Sequence, residues 1–426
     1  MADRSLADWL DLLESRHPSE IELGLQRVNQ VWQRLQVSQG LQRQTAPLAI
    51  TVAGTNGKGS CLACMQALCL AQGYSVGLFT SPHFMRYNER ICLNGEPVGD
   101  SLIVSAFEQI EHYCEDISLT YFEFGTLAAL LIFYQAQPDV MLLEVGLGGR
   151  LDAINIIDAD VAVVTSIALD HQDWLGDTRE LIAREKLGIA RRNRPLIIGE
   201  QDHPLGFEQM VAETGAIALY AGKDFSCTEE DPFSVELVGN AGPWQIGSLR
   251  QSSLLAINKT VALQALCAAG LTLDAGQSRS ALNTVALMGR QQRLNFRGLE
   301  VILDVAHNPA AAKALAECLR TEENPLIAVA SVLGDKDWPG IVHEMSPVIA
   351  HWHIAEISDS SRASKGQYLF ELLYNAGQSG DLYESIRQAF LEAINMATES
   401  HKIVVFGSFH TVALVLDLIL AEVKSE

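Results

Sequence analysis

Hydrophobic and polar positions alternate along the chain between short apolar runs and longer stretches with helical spacing. The apolar runs predict strands over 49–52, 75–80, 139–145, 160–165 and 195–199. The amphipathic stretches predict helices over 5–14, 20–35, 61–71, 100–113, 125–135, 178–191 and 258–270. Strands that are apolar on both faces belong in the interior of a parallel sheet covered by helices. Residues 200–250 are less regular and are expected to contain only short β-like pieces.

The same alternation begins again after about residue 290. Strands are predicted over 300–305, 326–330, 352–357 and 402–406, and helices over 310–320 and 411–423. Because 426 residues are too many for one ordinary core, the length predicts two domains or three. The prediction is an α/β fold with a P-loop-containing, mostly parallel sheet in residues 1–288. A smaller Rossmann-like α/β domain is predicted in residues 289–426.

A glycine-rich loop follows the first predicted strand and has the sequence AGTNGKGS, residues 53–60. A strand, a glycine-rich turn and a helix form a cradle in which backbone N–H groups converge on an anion. Lys58 would reach the outer phosphates of a nucleotide, and the Ser60 hydroxyl would face Mg²⁺. Only two residues separate Gly54 from the Gly-Lys pair, where the usual loop has four. The alternative is a glycine-rich turn that binds nothing.

Polar side chains follow the other apolar runs. Ser81 follows the second run, Glu144 lies near the end of the third, and Asp170 and His171 come after the fourth. Ligands bind outside the carboxyl ends of strands in open parallel sheets, so these groups are expected at one rim. Oxygen and imidazole donors beside a triphosphate suit Mg²⁺. Taken singly, Ser81 could cap a turn and His171 could be an ordinary loop histidine.

Composition narrows the possible partners. The formal net charge is −22 and the chain has no long basic run, which makes nucleic acid and anionic membranes poor candidate partners. Eight scattered cysteines form no paired framework, and the C-x-x-C of Cys61 and Cys64 lies within a predicted helix. Core thiols in a reducing compartment are expected, with a cytoplasmic location. The polar N-terminus is unlike a signal peptide, and the apolar run 125–138 is too short to span a bilayer.

A set of motifs carries a resemblance to a known family. They are AGTNGKGS (53–60), SPH (81–83), LEVGLGGRLDA (143–153), LDH (169–171), REK (184–186), DVAHNP (304–309) and FGSFH (406–410). In this order they resemble the folylpolyglutamate synthases of the Mur ligase superfamily. The stretch ISLTYFE, residues 117–123, resembles the dihydropteroate-binding segment of the bifunctional dihydrofolate synthase/folylpolyglutamate synthases. The resemblance therefore favours the bifunctional bacterial enzymes over the folate-only form.

The resemblance implies roles at matching positions. It implies that ATP is bound by Thr55, Asn56, Gly57, Lys58, Gly59, Ser60, Asn258, Arg290, Asp304 and His307. It implies metal ligation, with two Mg²⁺ ions, by Ser81, Glu144, His171 and Lys186. It implies substrate contacts from Glu22, Leu23, Gly24, Leu25, Thr120, Tyr121, Phe122, Glu123, Leu151, Asp152, Ala153 and, for glutamate, Ser408. Lys58, Lys186 and His307 are the implied catalytic residues.

Composition alone would place Lys186 on a solvated helix face beside Glu185. The resemblance instead implies that it is carbamylated, so that CO₂ converts an ammonium into an anion that can face a metal. Arg362 stands where related chains carry a different sequence, and its contact with glutamate is left open. His83 is a candidate proton carrier or an ordinary loop histidine.

The implied reaction joins a carboxylate to the amine of L-glutamate while ATP becomes ADP and phosphate. The implied substrates are 7,8-dihydropteroate and reduced folates, and a monomer is expected. Transfer of the γ-phosphoryl group would form an acyl phosphate, which asks the protein mainly for positioning and charge neutralisation. Two alternatives remain: a ligase that adds amino acids to a UDP-linked muramoyl substrate, and a P-loop ATPase with no amide product. A non-catalytic pterin-binding protein is disfavoured by the set Lys58, Glu144, His171 and Lys186.

Overall fold

The computed structural model describes residues 4–17, 21–41, 45–239, 242–357 and 363–423. The chain divides into two compact units. The first contains residues 1–168 and 175–285, and the second contains residues 169–174 and 286–426. Residues 169–174 therefore belong to the second unit although they lie between elements of the first in sequence. Arg362 lies outside the described residues.

The helices up to residue 285 are α1 (Leu6–Arg16), α2 (Gln26–Ser38), α3 (Lys58–Ala71), α4 (Asp100–Cys114), α5 (Tyr121–Ala136), α6 (Gln172–Leu175), α7 (Arg179–Leu187), α8 (Phe207–Thr214), α9 (Ala256–Ala268) and α10 (Ala275–Thr284). The strands are β1 (Leu48–Ala53), β2 (Val76–Phe79), β3 (Ile91–Leu93), β4 (Glu96–Pro97), β5 (Val140–Glu144), β6 (Val161–Val164), β7 (Pro195–Ile198), β8 (Ile217–Tyr220), β9 (Ser226–Cys227), β10 (Phe233–Gly239) and β11 (Gly242–Leu249).

The main sheet of the first unit has the order β4-β3-β2-β5-β1-β6-β7-β8 in the described residues. From β2 to β8 all neighbouring strands are parallel, and β3 and β4 add an antiparallel edge. Strands β2, β5, β1 and β6, whose ends carry the predicted site residues, are consecutive neighbours. Nearly every residue of these four strands is buried, which is the pattern that predicted a covered parallel sheet.

Several elements of the first unit differ from the sequence prediction, among them α5, the hairpin of β3 and β4, and α10, which was not predicted. Helix α5 begins at Tyr121 rather than Gly125, because Thr120 and Glu123 form a capping box in which each side chain accepts from the other's backbone N–H. The hairpin of β3 and β4 was missed. Its turn residues Asn94 and Gly95 have φ angles of 53° and 88°, a geometry that Asn-Gly favours.

The irregular region 200–250 contains more structure than predicted. It forms α8, β8 and a separate antiparallel sheet in the order β11-β10-β9. This sheet is joined to α9 through Gln264, whose amide donates to Val238 O and accepts from Val238 N, both at 2.9 Å. A buried side-chain amide here replaces a neighbouring strand, which composition alone does not reveal.

The second unit contains the helices α11 (Pro309–Leu319), α12 (Trp338–Met345), α13 (Gly366–Asn375), α14 (Ile386–Met396) and α15 (Phe409–Val423), and the strands β12 (Gln292–Phe296), β13 (Leu299–Leu303), β14 (Leu326–Ala330), β15 (Ile349–Ala355), β16 (Gly380–Tyr383) and β17 (Lys402–Phe406). The sheet order among described residues is β12-β13-β17-β14-β15-β16. Only β12 runs antiparallel to its neighbour.

The predicted two-part α/β fold class is confirmed. Its boundary between residues 288 and 289 remains a prediction; the second unit takes up the chain again at Ala286. In the described part of the chain, the helices lack the combination of length and apolarity that a membrane span needs.

Candidate active site

The glycine-rich loop connects β1 to α3 through backbone conformations that side chains would obstruct. Gly57, the residue before α3, has a φ of +86°. A Cβ on Gly57 would lie 2.6 Å from the Asn258 side-chain oxygen, and one on Gly54 would overlap Thr165 Oγ1. The loop is therefore closed around its glycines, and Asn258 of α9 packs directly against it.

Hydrogen bonds from the segment after β6 hold the loop in place. Thr55 N donates to Ser166 O at 2.9 Å, and Asn56 N donates to the Ser166 hydroxyl at 2.9 Å. The Thr165 hydroxyl donates to Asn56 O at 2.6 Å. Ala168 N donates to the Thr55 hydroxyl at 3.0 Å. The loop is thus fixed before any ligand binds, which removes much of the ordering cost of binding.

Lys58 begins α3 and folds back over the loop. Its Nζ donates to Gly54 O at 3.1 Å and lies 3.5 Å from Thr55 O. The next residues, Gly59 and Ser60, form the first turn of α3, and Ser60 is buried. A lysine and a helix N-terminus at one loop supply positive potential to an otherwise acidic protein.

Ser81 and Glu144 meet at the ends of the neighbouring strands β2 and β5. Glu144 is 4% exposed and accepts hydrogen bonds from the Thr80 hydroxyl and from Ser81 N, the latter at 3.2 Å. The Ser81–Pro82 peptide bond is cis. A buried carboxylate with a serine beside it offers the hard oxygen donors that Mg²⁺ and Mn²⁺ prefer.

A second glycine-rich segment, residues 146–149, follows β5 and wraps around Asp152. The Asp152 carboxylate accepts from Leu147 N at 2.9 Å and from Ile154 N at 3.0 Å. Burial raises the pKa of Asp152 to about 6, although these backbone donors and the charge of Lys58 act in the opposite direction. Asp152 is therefore close enough to Lys58 to interact with its charge.

Lys186 lies on α7 and is 3% exposed, so the solvated-face interpretation is wrong. Helix α7 approaches the glycine segment closely, since a Cβ on Gly149 would lie 2.8 Å from Glu185 O. Arg150 N donates to the same carbonyl at 2.7 Å. The glycines allow α7 to pack tightly on the segment that follows β5.

The three segments predicted to hold the pterin substrate are joined to one another. Gly24 N donates to Leu151 O at 3.2 Å, and Arg27 donates to Glu123 Oε1 at 3.0 Å. Arg27 also pairs with Glu22. Segments 22–25, 120–123 and 151–153 thus form one cluster in the first unit.

Aromatic rings extend this cluster toward β2. Phe122 lies 5.8 Å from Phe79 between ring centroids, and Tyr121 lies 5.7 Å from Tyr87. The guanidinium of Arg90 lies 5.4 Å from the ring centres of both tyrosines. Arg90 Nε also donates to His83 Nδ1 at 2.9 Å. His83 is therefore held by Arg90, and its role in proton transfer remains a prediction.

The second unit holds its predicted residues in two places. Asp304, at the end of β13, accepts from Gln291 N at 2.9 Å and Ala306 N at 2.8 Å. Burial raises its pKa, and Arg290 opposes that change. Ser408 is buried, and its hydroxyl accepts from Thr411 N at 3.0 Å at the start of α15. Ser408 thus has a structural capping role besides any contact with glutamate.

Asp170 lies at the centre of the other group in the second unit. Its Oδ2 accepts from Asn308 Nδ2 at 3.1 Å and lies 3.3 Å from His307 Nε2, while its Oδ1 lies 2.6 Å from Lys336 Nζ. Burial would raise the pKa of Asp170, but His307, His171 and Lys336 together hold it well below its usual range. Burial lowers the pKa of His171 to about 4 against the opposing charges of Asp170 and Asp335.

Sequence reasoning missed Asn308, Asp335 and Lys336. A signal was available, because Asp335 and Lys336 follow β14, a buried strand of a parallel sheet, and strand ends were used to choose residues only in the first unit. The structure brings Ser81 together with Glu144 in the first unit, and the charge of Lys58 acts to lower the pKa of Asp152. His171 belongs to the second unit, with His307 and Asp335.

Comparisons with known proteins give a consistent result. The Mur ligase glutamate ligase domain family matches residues 289–409. The dihydrofolate synthase/folylpolyglutamate synthase of Escherichia coli K12 is 41% identical over 418 residues, covering 97% of this chain and 95% of that protein. A structure of E. coli FolC in complex with DHPP and ADP has a TM-score of 0.91, 41% identity and 99% coverage of both chains. A bifunctional folylpolyglutamate synthase/dihydrofolate synthase with Mn, AMPPNP and L-glutamate bound has a TM-score of 0.89, 39% identity and the same coverage.

Proposed function

We propose that this chain, which belongs to the dihydrofolate synthase/folylpolyglutamate synthase family, adds L-glutamate to 7,8-dihydropteroate and to reduced folates. The family resemblance found in the motifs is confirmed, and the chain is an ATP-dependent glutamate ligase. The muramoyl ligase and the simple ATPase are not favoured. The observation that carries the proposal is the meeting of a fixed phosphate loop and the Ser81–Glu144 pair at neighbouring strand ends of one sheet.

The chain uses ATP and a divalent metal, as the complexes of its relatives with ADP and with Mn and AMPPNP support. The donor set fits such an ion, since Glu144 is a buried carboxylate and Ser81 lies beside it. We assign Mg²⁺, as two ions, to Ser81, Glu144, His171 and a carbamylated Lys186. Bound metal would neutralise the charge of the triphosphate and polarise the γ-phosphoryl group.

ATP would lie on the loop formed by residues 55–60, with Asn258 packed behind Gly57. Lys58 would exchange its two carbonyl contacts for phosphate oxygens and stabilise the charge that develops during phosphoryl transfer. Arg290, Asp304 and His307 are assigned to the same nucleotide from the second unit. His307 would hold the transferred phosphoryl group by charge and hydrogen bonding.

The carboxylate substrate would be held by the cluster of segments 22–25, 120–123 and 151–153. Its aromatic lining, which includes Phe122 and Tyr121, suits a flat pterin ring. Phosphorylation converts the inert carboxylate into an acyl phosphate, and the glutamate amine then attacks its carbonyl and releases phosphate. No protein nucleophile is required, so the residues act by positioning and charge.

Residues 1–288 are assigned as the ATP- and pterin-binding domain of this enzyme, and residues 289–426 as the glutamate ligase domain with Ser408 facing glutamate. The match of residues 289–409 to a glutamate ligase domain supports this division. We place the enzyme in the cytoplasm as a monomer. Its eight free cysteines suit a reducing compartment.

The experiment is one assay with ATP and L-glutamate plus either dihydropteroate or tetrahydrofolate, with products identified by mass. We expect one added glutamate on each substrate and phosphate release that requires both the pterin carboxylate and the amine. Glu144→Gln keeps the shape of the site but removes its charge, and it should abolish product formation. Phosphate release at the full rate without glutamate, or product formation only with a muramoyl substrate, would contradict the proposal.

The carbamate on Lys186 needs its own test. The Nζ–C bond would form between the neutral amine of Lys186 and CO₂, and one proton would leave. Because Lys186 is buried, the resulting carbamate anion would lie away from solvent. We expect Lys186→Ala to lose about 100- to 1000-fold in kcat, and a small carboxylate such as acetate to restore part of it. The matched control is Lys259→Met, another buried lysine, which donates to Arg250 O. A fully active Lys186→Ala enzyme would exclude the carbamate.

A further inference from the structure

We infer that Lys336 is a positioning residue, an internal cation that holds the Asp170 and Asp335 carboxylates and thereby fixes Asp170 as the acceptor that orients His307 and Asn308. The inference rests on the proposed function, since it concerns residues assigned to the same reaction. All of the contacts that carry it lie within the second unit.

The ammonium group of Lys336 contacts two carboxylates. Lys336 Nζ lies 2.6 Å from Asp170 Oδ1 and 3.2 Å from Asp335 Oδ2, and the Lys336 side chain is 5% exposed. Asp170, His171 and Asp335 offer ligand atoms that lie within 4.8 Å of one another, an arrangement that could hold a metal ion. Lys336 already supplies a positive charge to both carboxylates of this group, so the chain provides the cation itself.

The other carboxylate oxygen of Asp170, Oδ2, contacts two residues of the second unit. Asp170 Oδ2 accepts from Asn308 Nδ2 at 3.1 Å and faces His307 Nε2 at 3.3 Å. The other ring nitrogen, His307 Nδ1, lies 2.8 Å from Val305 O. The imidazole is therefore held between two oxygen acceptors, and one of them depends on the position of Asp170.

Removal of the Lys336 charge would affect these contacts. Without Lys336, Asp170 Oδ1 would lose its charged partner and keep the backbone N–H of His171 as a donor at 2.9 Å, so Asp170 would leave its present position. His307 and Asn308 would then lose their common acceptor. Positioning partners of this kind commonly change activity about 10- to 100-fold when they are removed.

The experiment uses the full-length enzyme with Lys336→Met, which keeps the length of the side chain but removes its charge. We expect kcat for glutamate addition to fall about 10- to 100-fold, while the Kd for ADP stays within about twofold of wild type. The matched control is Lys402→Met, because Lys402 also bridges two carboxylates of the second unit, those of Glu300 and Glu322. Lys402→Met should retain the wild-type kcat.

A double variant separates positioning from simple charge balance. Lys336→Met with Asp335→Asn removes one charge of each sign, so it should unfold at a higher urea concentration than Lys336→Met alone. We expect its kcat to remain low, because Asp170 still lacks its partner. A kcat that recovers together with stability, or a Lys336→Met enzyme with wild-type kcat, would overturn the inference. If the wild-type enzyme formed no glutamate product, the proposed function would fail instead.

Discussion

Asp152 in the first unit and Asp170 in the second are both buried carboxylates, and their surroundings shift their pKa values in opposite directions. Asp152 is held mainly by backbone N–H groups, and burial outweighs them and raises its pKa to about 6. Asp170 is surrounded by His307, His171 and Lys336, which outweigh burial and lower its pKa. Charged side chains therefore stabilise a buried carboxylate more strongly than backbone dipoles do here.

The two arrangements also differ in where their parts lie in the sequence. The donors to Asp152 come from residues 146–154, a single glycine-rich segment. Apart from the adjacent His171, whose N–H donates to Asp170 Oδ1, the partners of Asp170 are residues 307, 308 and 336, more than 130 positions away. A site built from the backbone thus leaves a local sequence motif, and a site built from side chains does not.

The largest expected effect is the loss of unfolding free energy when Asp170 or Asp152 is replaced by asparagine. Asp170→Asn removes the main partner of the buried Lys336 and should lower the unfolding free energy by about 3–5 kcal/mol. Asp152→Asn should cost about 1 kcal/mol or less, because the carboxamide oxygen can still accept from one backbone N–H and the variant no longer buries a charge. Urea unfolding of both variants at pH 7 measures the difference. Equal losses would remove the distinction between the two arrangements.

The next effect is a pH dependence specific to Asp152. Its pKa of about 6 in the folded protein exceeds the ordinary value of 3.8, so the folded state binds more protons between these pH values. Stability must therefore fall as pH rises from about 4 to about 6 and then level off, by at most about 3 kcal/mol.

The measurement is the difference in unfolding free energy between wild type and each variant, Asp152→Asn and Asp170→Asn, from about pH 2.5 to about pH 7.5. Asp170→Asn serves as the comparison, because the pKa of Asp170 is lowered and the change in unfolding free energy with pH therefore has the opposite sign. The stability that Asp170 contributes is present above about pH 4 and is lost as the pH falls further. Slopes of the same sign in both variants would contradict the contrast.

A third prediction concerns the loop in which the backbone itself forms the site. Gly54→Ala places a Cβ against Thr165 Oγ1, and the displaced loop should lose about 100-fold in kcat/KM for ATP. Gly99→Ala is the matched control, since its Cβ meets no atom within 4 Å and its φ is −70°. If both variants bind ADP like wild type, the loop does not depend on close backbone approach.

Residues of the backbone loop could be predicted from the local sequence, whereas Lys186 and Lys336 depend on packing and on distant side chains. Gly54, Gly57 and Lys58 were found from the order of strand, glycine-rich turn, lysine and helix, although their spacing departs from that of the usual loop. Lys186 was identified only through the family resemblance, since burial of α7 depends on packing against Gly149 that composition does not encode. Lys336 was missed because Asp170 lies 166 positions away in sequence and because the residues that follow β14 were not considered as site residues.

The strands and sheets also differ in how far the local sequence predicts them. Apolar runs predicted β1, β5 and β6 correctly, because burial on both faces determines their composition. The parallel edge strands β8 and β16 are partly exposed and were not predicted. The small sheet β9–β11 was not predicted from the sequence, since it is held by side chains of neighbouring helices such as Gln264 and Arg279. The Asn94-Gly95 turn was a usable hairpin signal that went unused.

The smallest predicted effect tests an intermediate case. Glu123 accepts from Thr120 N at 2.8 Å, a backbone donor three positions before it, and from Arg27 at 3.0 Å, a charged side chain 96 positions away. Glu123→Gln keeps an acceptor for Thr120 N but removes the charge that Arg27 faces. We expect a loss of about 1.5 kcal/mol in unfolding free energy and a raised KM for dihydropteroate, with KM for ATP unchanged. A loss as large as that of Asp170→Asn would mean that the charged partner dominates even where a local backbone donor is present.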